Sequence, residues 1–299
     1  MPHLHDDKIK ELEVKANEVR QTIIEALIEA KSGHTAGPLG MADIFTYLYF
    51  HELKHDPKNP SWPDRDRLVL SNGHICPVLY AAMCHSGYAP VEEFKTNLRK
   101  FGSRFQGHPH REYFPALETS SGPLGSGLSQ AVGMALADRI DNGKATDKFI
   151  YCMMSDGEHD CGNTWEAVLL AGKERPGNLI AIMDRNYIQI DGFTEDIMPL
   201  DPVRAKYEAF NWQVVEIDGH NFADIHRGIS EAKAVFGKPT MIIAHTIPGK
   251  GIKEIEFDYR WHGSPPGKGP TDKVPADKQA SVFLQELRTL QGKIVSEHE

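Results

Sequence analysis

The chain is poor in cysteine, with only Cys76, Cys84, Cys152 and Cys161 in 299 residues. None forms a CxxC pair, and four are too few to staple a chain of this length, so a disulfide framework is excluded and the thiols read as reduced, in a cytoplasmic protein. No apolar run approaches the ~20 residues of a membrane span, and the polar start MPHLHDDKIKELEVKANEVR lacks the apolar core of a signal peptide. Positive charge is also short. Against 42 acidic residues stand 33 basic ones, a formal balance of −9, which repels a phosphate backbone and argues against nucleic acid as a partner. Internal repeats and low-complexity segments are missing too.

What remains is ordinary globular usage, 40% apolar and 25% charged, enough to bury the core of one large α/β domain or two small ones. Ile9, Leu12, Val19, Ile23, Leu27 and Ile28 recur at helical spacing and predict one amphipathic helix from Asp7 to Lys31. It is expected to stop at Ser32-Gly33, with the following AGPLG as turn chemistry. Short apolar runs at 67–71, 148–155, 178–184, 212–218 and 240–246 alternate with helical stretches such as Leu128–Ile140 and Trp165–Gly172. Their near-continuous apolarity fits strands buried on both faces, and so an α/β fold with a doubly wound, mainly parallel sheet flanked by helices. Ligands of such sheets bind at the carboxyl ends of the strands. Residues 1–263 read as this domain, and 264–299 as a Pro/Gly-rich linker followed by a short helix, Lys278–Leu290.

Two of those strand ends carry chemistry. Asp156-Gly157 leaves one strand and Asn186 leaves the next, thirty positions later. Either alone is more often a turn or a cap, but neighbouring parallel strands bring carboxylate and amide oxygens together as a hard cation such as magnesium or calcium requires. Such an ion would bridge to a diphosphate. His34, His74, His108 and His262 each sit in a Gly-bearing loop beside a strand end or helix start, and an imidazole titrating near neutrality suits reversible proton transfer. His3, His5, His51, His55, His85 and His298 read as solvated or capping. Arg99 and Arg104 precede His108 and are weak candidates for binding an anionic group at the mouth of a site. The GSG of PLGSGLSQ lacks the third glycine and preceding strand of a dinucleotide fingerprint, and PGKG at 248–251 lacks the rest of a phosphate loop.

The segment SDGEHDCGNTWEAVLLAGKERPGNLIAIMDRNYIQIDG, residues 155–192, resembles the thiamine diphosphate enzymes, with Ser155 in place of the first glycine of their Gly-Asp-Gly. SGHTAGPLG, LSNGHICPVLY, FQGHPH, SSGPLGSGLSQAVGMA and WHG are similar to the transketolase branch in particular. The resemblance implies thiamine diphosphate as cofactor and a divalent metal (magnesium, calcium or manganese) held by Asp156, Asn186 and the carbonyl of Ile188. It implies further cofactor contacts from His74, Gly122, Pro123, Leu124, Gly157, Ile190 and His262. His34, His74, His108 and His262 would surround the reactive carbon, and Glu166 would join a proton network at a subunit boundary. That network usually has a second acid where this chain has Cys161, a thiol without fixed charge, so Asp160 or Glu158 is a candidate replacement. Full-length members continue with a pyrimidine-binding domain that supplies the activating glutamate. The implied protein is therefore the N-terminal subunit of a split transketolase, working with a separate C-terminal subunit in a heterotetramer and moving a two-carbon ketol unit from a ketose (phosphate) to an aldose (phosphate). Another thiamine diphosphate enzyme acting on a specialised sugar, or a non-catalytic paralogue, stays open as the alternative.

Overall fold

The computed structural model describes residues 3–143 and 146–297. Five strands form one parallel sheet: β1 (Arg67–Leu70), β2 (Ile150–Ser155), β3 (Leu179–Arg185), β6 (Gln213–Asp218) and β7 (Thr240–His245). Two short strands, β4 (Ile188–Gln189) and β5 (Gly192–Phe193), pair as a small antiparallel ribbon after β3. The sheet runs β1-β2-β3-β7-β6, with every neighbouring pair parallel.

The apolar runs are continuous because both faces are covered, and the period-two pleat assigns alternate residues to separate cores. Leu68, Leu70, Tyr151, Met153, Ile180, Ile182, Ile242 and Ala244 pack on one side with Leu12, Ile23, Ile44, Val78 and Ile225 of helices Asp6–Ala30, Ala42–Tyr47, Cys76–His85 and Phe222–Lys233. Val69, Ile150, Cys152, Met154, Ala181, Met183, Met241 and Ile243 pack on the other with Leu128, Ala167 and Tyr207 of helices Ser126–Asn142, Gly162–Glu174 and Val203–Ala209. The expected doubly wound sheet, with all five of its strands, is the fold observed.

Differences from the sequence-based expectation are local. The first helix ends on Lys31, which itself takes the left-handed conformation at φ 51°, with Gly33 at φ 130° following. AGPLG is not a turn but the helix Ala36–Gly40. Its Pro38 falls in the first turn, where a missing N–H breaks no intrahelical bond. The last helix is longer than expected, Ala276–Glu297, and is fixed to the first by Asn17, whose Nδ2 donates to the Leu287 carbonyl (2.8 Å) and to Gln291 Oε1 (2.6 Å).

Candidate active site

The parallel register puts Ser155 opposite Asp184 at the carboxyl edge. The residues that follow, Asp156 and Asn186, therefore leave the sheet side by side. Asp156 is fully buried; its Oδ1 accepts from Gly157 N (2.7 Å) and its Oδ2 from Tyr187 N (2.8 Å) and Arg185 Nη1 (3.4 Å). A carboxylate offers about four acceptor positions, so these donors leave one open. Burial pushes Asp156 up to about 6, against the pull of those same donors. A divalent ion at the open position would return it to the ionised form.

Asn186 is held from behind. Its Nδ2 donates to Asp184 Oδ2 (2.7 Å), and Asp184 Oδ1 accepts from the Thr246 hydroxyl at the end of β7. The amide is thereby oriented with Oδ1 forward, accepting one bond from Ile188 N (3.0 Å) and keeping a second lone pair. Among the described residues no cluster of three His, Cys, Asp or Glu side chains could hold a metal. The expected donors are instead one carboxylate, one amide oxygen and one peptide carbonyl, hard oxygens of the kind a magnesium-like ion would take.

Beside these oxygens lies an open cleft of about 440 Å³ lined by His34, His74, His108, Gly122, Leu124, Ser155, Gly157, Asn186, Ile188, Gln189, Ile190, Asp191 and His262. His34, His74 and His262 form a triangle, with ring centroids 4.9 Å (34 to 74), 5.4 Å (34 to 262) and 5.1 Å (74 to 262) apart. Their loops come from opposite ends of the chain and are joined by the Thr35 hydroxyl, which donates to the Ser264 carbonyl (2.6 Å). Burial is the main reason all three imidazoles are neutral at physiological pH: His34 falls to about 3, His262 to about 4, and His74 lies well below its ordinary value. His34 Nδ1, His262 Nδ1 and Gln189 Nε2 are buried without a hydrogen-bond partner. Buried polar atoms are rarely left so, and all three belong to residues that line the cleft. Ile190 (64% exposed) and Leu124 (37% exposed) offer apolar surface to the same space. The residues present therefore fit a cofactor with a diphosphate tail and a flat ring.

Compared with known proteins, residues 12–282 match the family model described as transketolase, thiamine diphosphate binding domain. The chain belongs to the transketolase family. It is 44% identical over 252 residues to a Clostridium sp. (strain MSTE9) protein, the 6-deoxy-6-sulfo-D-fructose transketolase subunit SqwG, covering 84% of this chain and 90% of that one. It is 37% identical over 259 residues to one of the subunits of the apulose-4-phosphate transketolase of Phocaeicola vulgatus, covering 87% and 90% respectively. A transketolase from Pichia stipitis, solved with sedoheptulose 7-phosphate, superposes with a TM-score of 0.82 at 32% identity, over 96% of this chain but only 46% of that one.

Within this transketolase domain most of the expected site residues meet at one edge, and the other candidates lie apart from it or are engaged elsewhere. Glu166 is exposed on the outer face of helix Gly162–Glu174, beside Leu169 and Leu170, away from the cleft lining. Pro123 is exposed between the two lining residues Gly122 and Leu124. Glu158 is no substitute for an acid at Cys161. It is completely buried, its Oε1 accepting from Ser71 Oγ (2.5 Å) and Gly125 N (3.1 Å) and its Oε2 from Ser155 N (2.9 Å) and Ser155 Oγ (3.4 Å). It thus ties the ends of β1 and β2 to the glycine loop. Neither arginine reaches the cleft as an anion ligand: Arg104 pairs at the surface with Glu93 (2.9 Å), and Arg99 points inward to Ser32 and Gly107. Sequence reasoning missed Asp184, Thr246 and Gln189, and gave Glu158 a different role. Only Asp184, two positions before Asn186 at the end of a buried strand, left a readable signal.

Proposed function

We propose that this chain is the diphosphate-binding subunit of a two-chain transketolase that transfers a two-carbon ketol unit reversibly from a ketose to an aldose. The observation that carries the reading is the meeting, on one cleft, of Asn186, Ile188 and the two neighbours of buried Asp156, Ser155 and Gly157, with three neutral imidazoles. When bound, thiamine diphosphate supplies the carbanion chemistry. Asp156, Asn186 Oδ1 and the Ile188 carbonyl hold the divalent metal, Gly157 lets the backbone approach the diphosphate, and Ile190 and Leu124 pack on the rings. His34, His74 and His262 hydrogen-bond the substrate hydroxyls. Being neutral, each can accept or donate a proton at a ring nitrogen without first gaining or losing charge. His108 orients donor hydroxyls from the facing loop. A non-catalytic paralogue has no need of this whole set.

The partner is a second chain carrying the pyrimidine-binding domain and its activating glutamate, in a cytoplasmic heterotetramer; Glu166, Leu169 and Leu170 face it. Support comes from the two relatives named as subunits, each matched over 90% of its length. The same pair favours a specialised ketose as donor, in place of the common sugar phosphates. Ketol transfer is measured with this chain alone, the partner alone, and both together, with thiamine diphosphate and magnesium, over a panel of pentulose and hexulose phosphates and 6-deoxy-6-sulfo-D-fructose. Activity only in the mixture is expected. Full activity of this chain alone overturns the two-chain assignment, and a mixture that binds cofactor but transfers no ketol unit overturns the reaction.

A further inference from the structure

We infer that Arg99 is a positioning residue, a fork that ties the loop carrying His34 to the loop carrying His108 and so sets both imidazoles against the donor sugar. Arg99 follows helix Val91–Asn97 and is one of few non-glycine residues at positive φ (61°), its N–H donating to the Phe105 carbonyl (2.8 Å). That conformation is costly for a residue with a Cβ and persists where surrounding contacts impose it. Here the contacts are the side chain's own. Nη1 donates to Ser32 Oγ (2.7 Å), two residues before His34, and Nη2 donates to the Gly107 carbonyl (3.3 Å), one residue before His108.

The fit on the His108 side is close. A Cβ on Gly107 would lie 2.8 Å from Arg99 Nε and 3.0 Å from Cζ and Nη2, so a larger residue there would push the guanidinium aside. A planar fork with fixed donor directions can hold two loops at once, where an ammonium is a single point of attachment. Both partners are neutral oxygens, so the positive charge acts on the imidazoles, and it is one reason, after burial, that His34 and His108 both lie below their ordinary values. His34 also faces His74, His262 and His108.

The inference rests on the transketolase reading for its kinetic consequence but not for its geometry, and the two are tested separately. Hydrogen exchange on the isolated chain is expected to quicken at 30–36 and 104–110 in R99M, and at 30–36 alone in S32A. In the reconstituted enzyme, R99M is expected to lower kcat/KM by about 10- to 100-fold, the scale of small misplacements, and to shift the acid limb of its pH profile upward. R99K keeps the charge without the fork: its acid limb should stay in the wild-type position while kcat/KM still falls. Affinity for thiamine diphosphate and magnesium should stay at the wild-type value in all three, because the fork binds neither Asp156 nor Asn186. Wild-type exchange in both loops of R99M, or wild-type kcat/KM and pH profile despite faster exchange, overturns the inference. If R99M does not fold, S32A and R99K decide it by the same two readouts. A wild-type mixture without ketol transfer overturns the function and leaves the exchange result to stand or fall by itself.

Discussion

Replacing Glu158 with glutamine tests whether the glycine loop is held by a buried carboxylate. All four contacts to Glu158 are donors: Ser71 Oγ, Gly125 N, Ser155 N and Ser155 Oγ. Burial pushes the group up and these donors pull it down, and the ionised carboxylate is the form that accepts from all four. Glutamine turns one oxygen into an NH₂. If the NH₂ takes the Oε1 place it faces Gly125 N–H; if it takes the Oε2 place it faces Ser155 N–H. A serine hydroxyl can rotate to accept, whereas a backbone amide cannot, so one buried N–H loses its partner in either orientation. That costs about 2 kcal/mol, or about 3 °C in thermal midpoint for a domain of this size. Because Gly125 opens helix Ser126–Asn142 directly after Gly122–Leu124, cofactor affinity should fall as well. Thermal unfolding and cofactor titration of E158Q read both effects. A midpoint within a degree of wild type, together with unchanged affinity, would show that the loop is held by something else.

Three further outcomes follow from the same geometry. Asp184→Ala frees the Asn186 amide to turn, so magnesium affinity in the presence of cofactor should weaken about 10- to 100-fold, as for other partners that orient metal ligands, read by circular dichroism during metal titration. The depressed imidazoles make stability rise with pH: the unfolded chain takes up protons near pH 6.5 that folded His34 and His262, at about 3 and about 4, refuse. Denaturant midpoints should therefore drop as pH falls from 7 to 5, and less steeply in H34N. Gly127→Ala puts a Cβ 2.5 Å from Ser71 Cα and Cβ, so the helix must move off β1, at a cost of about 1 to 3 kcal/mol in urea unfolding.

The sheet was legible because burial on both faces writes each strand as an unbroken apolar run, whereas the register that sets Ser155 opposite Asp184 came only from the folded chain. The site's candidates were legible for a different reason: Asp156 and Asn186 are ordinary turn residues singly, but they stand at the ends of two neighbouring buried strands, and the histidines sit in Gly-bearing loops. What escaped was the layer behind them. Glu158 is charged, and charge in a sequence normally signals surface; only the folded chain shows four donors converging on it. Thr246 lies 62 positions from the Asp184 it serves. Arg99 read as a cation for an anionic substrate, when its reach is spent on a hydroxyl and a carbonyl inside the protein. AGPLG looked like a turn since proline and glycine usually punctuate, but a first-turn proline leaves a helix intact.

The Thr35 to Ser264 bond has a consequence in time. It closes a separation of 229 residues, so the histidine triangle cannot be completed on a nascent chain until synthesis has passed Ser264. Contacts this remote in sequence are the slowest to form. The cleft is thus finished after the sheet beneath it, and a ribosome-bound intermediate that has completed β7 and Thr246 would hold Asn186 in place before it held a complete set of imidazoles.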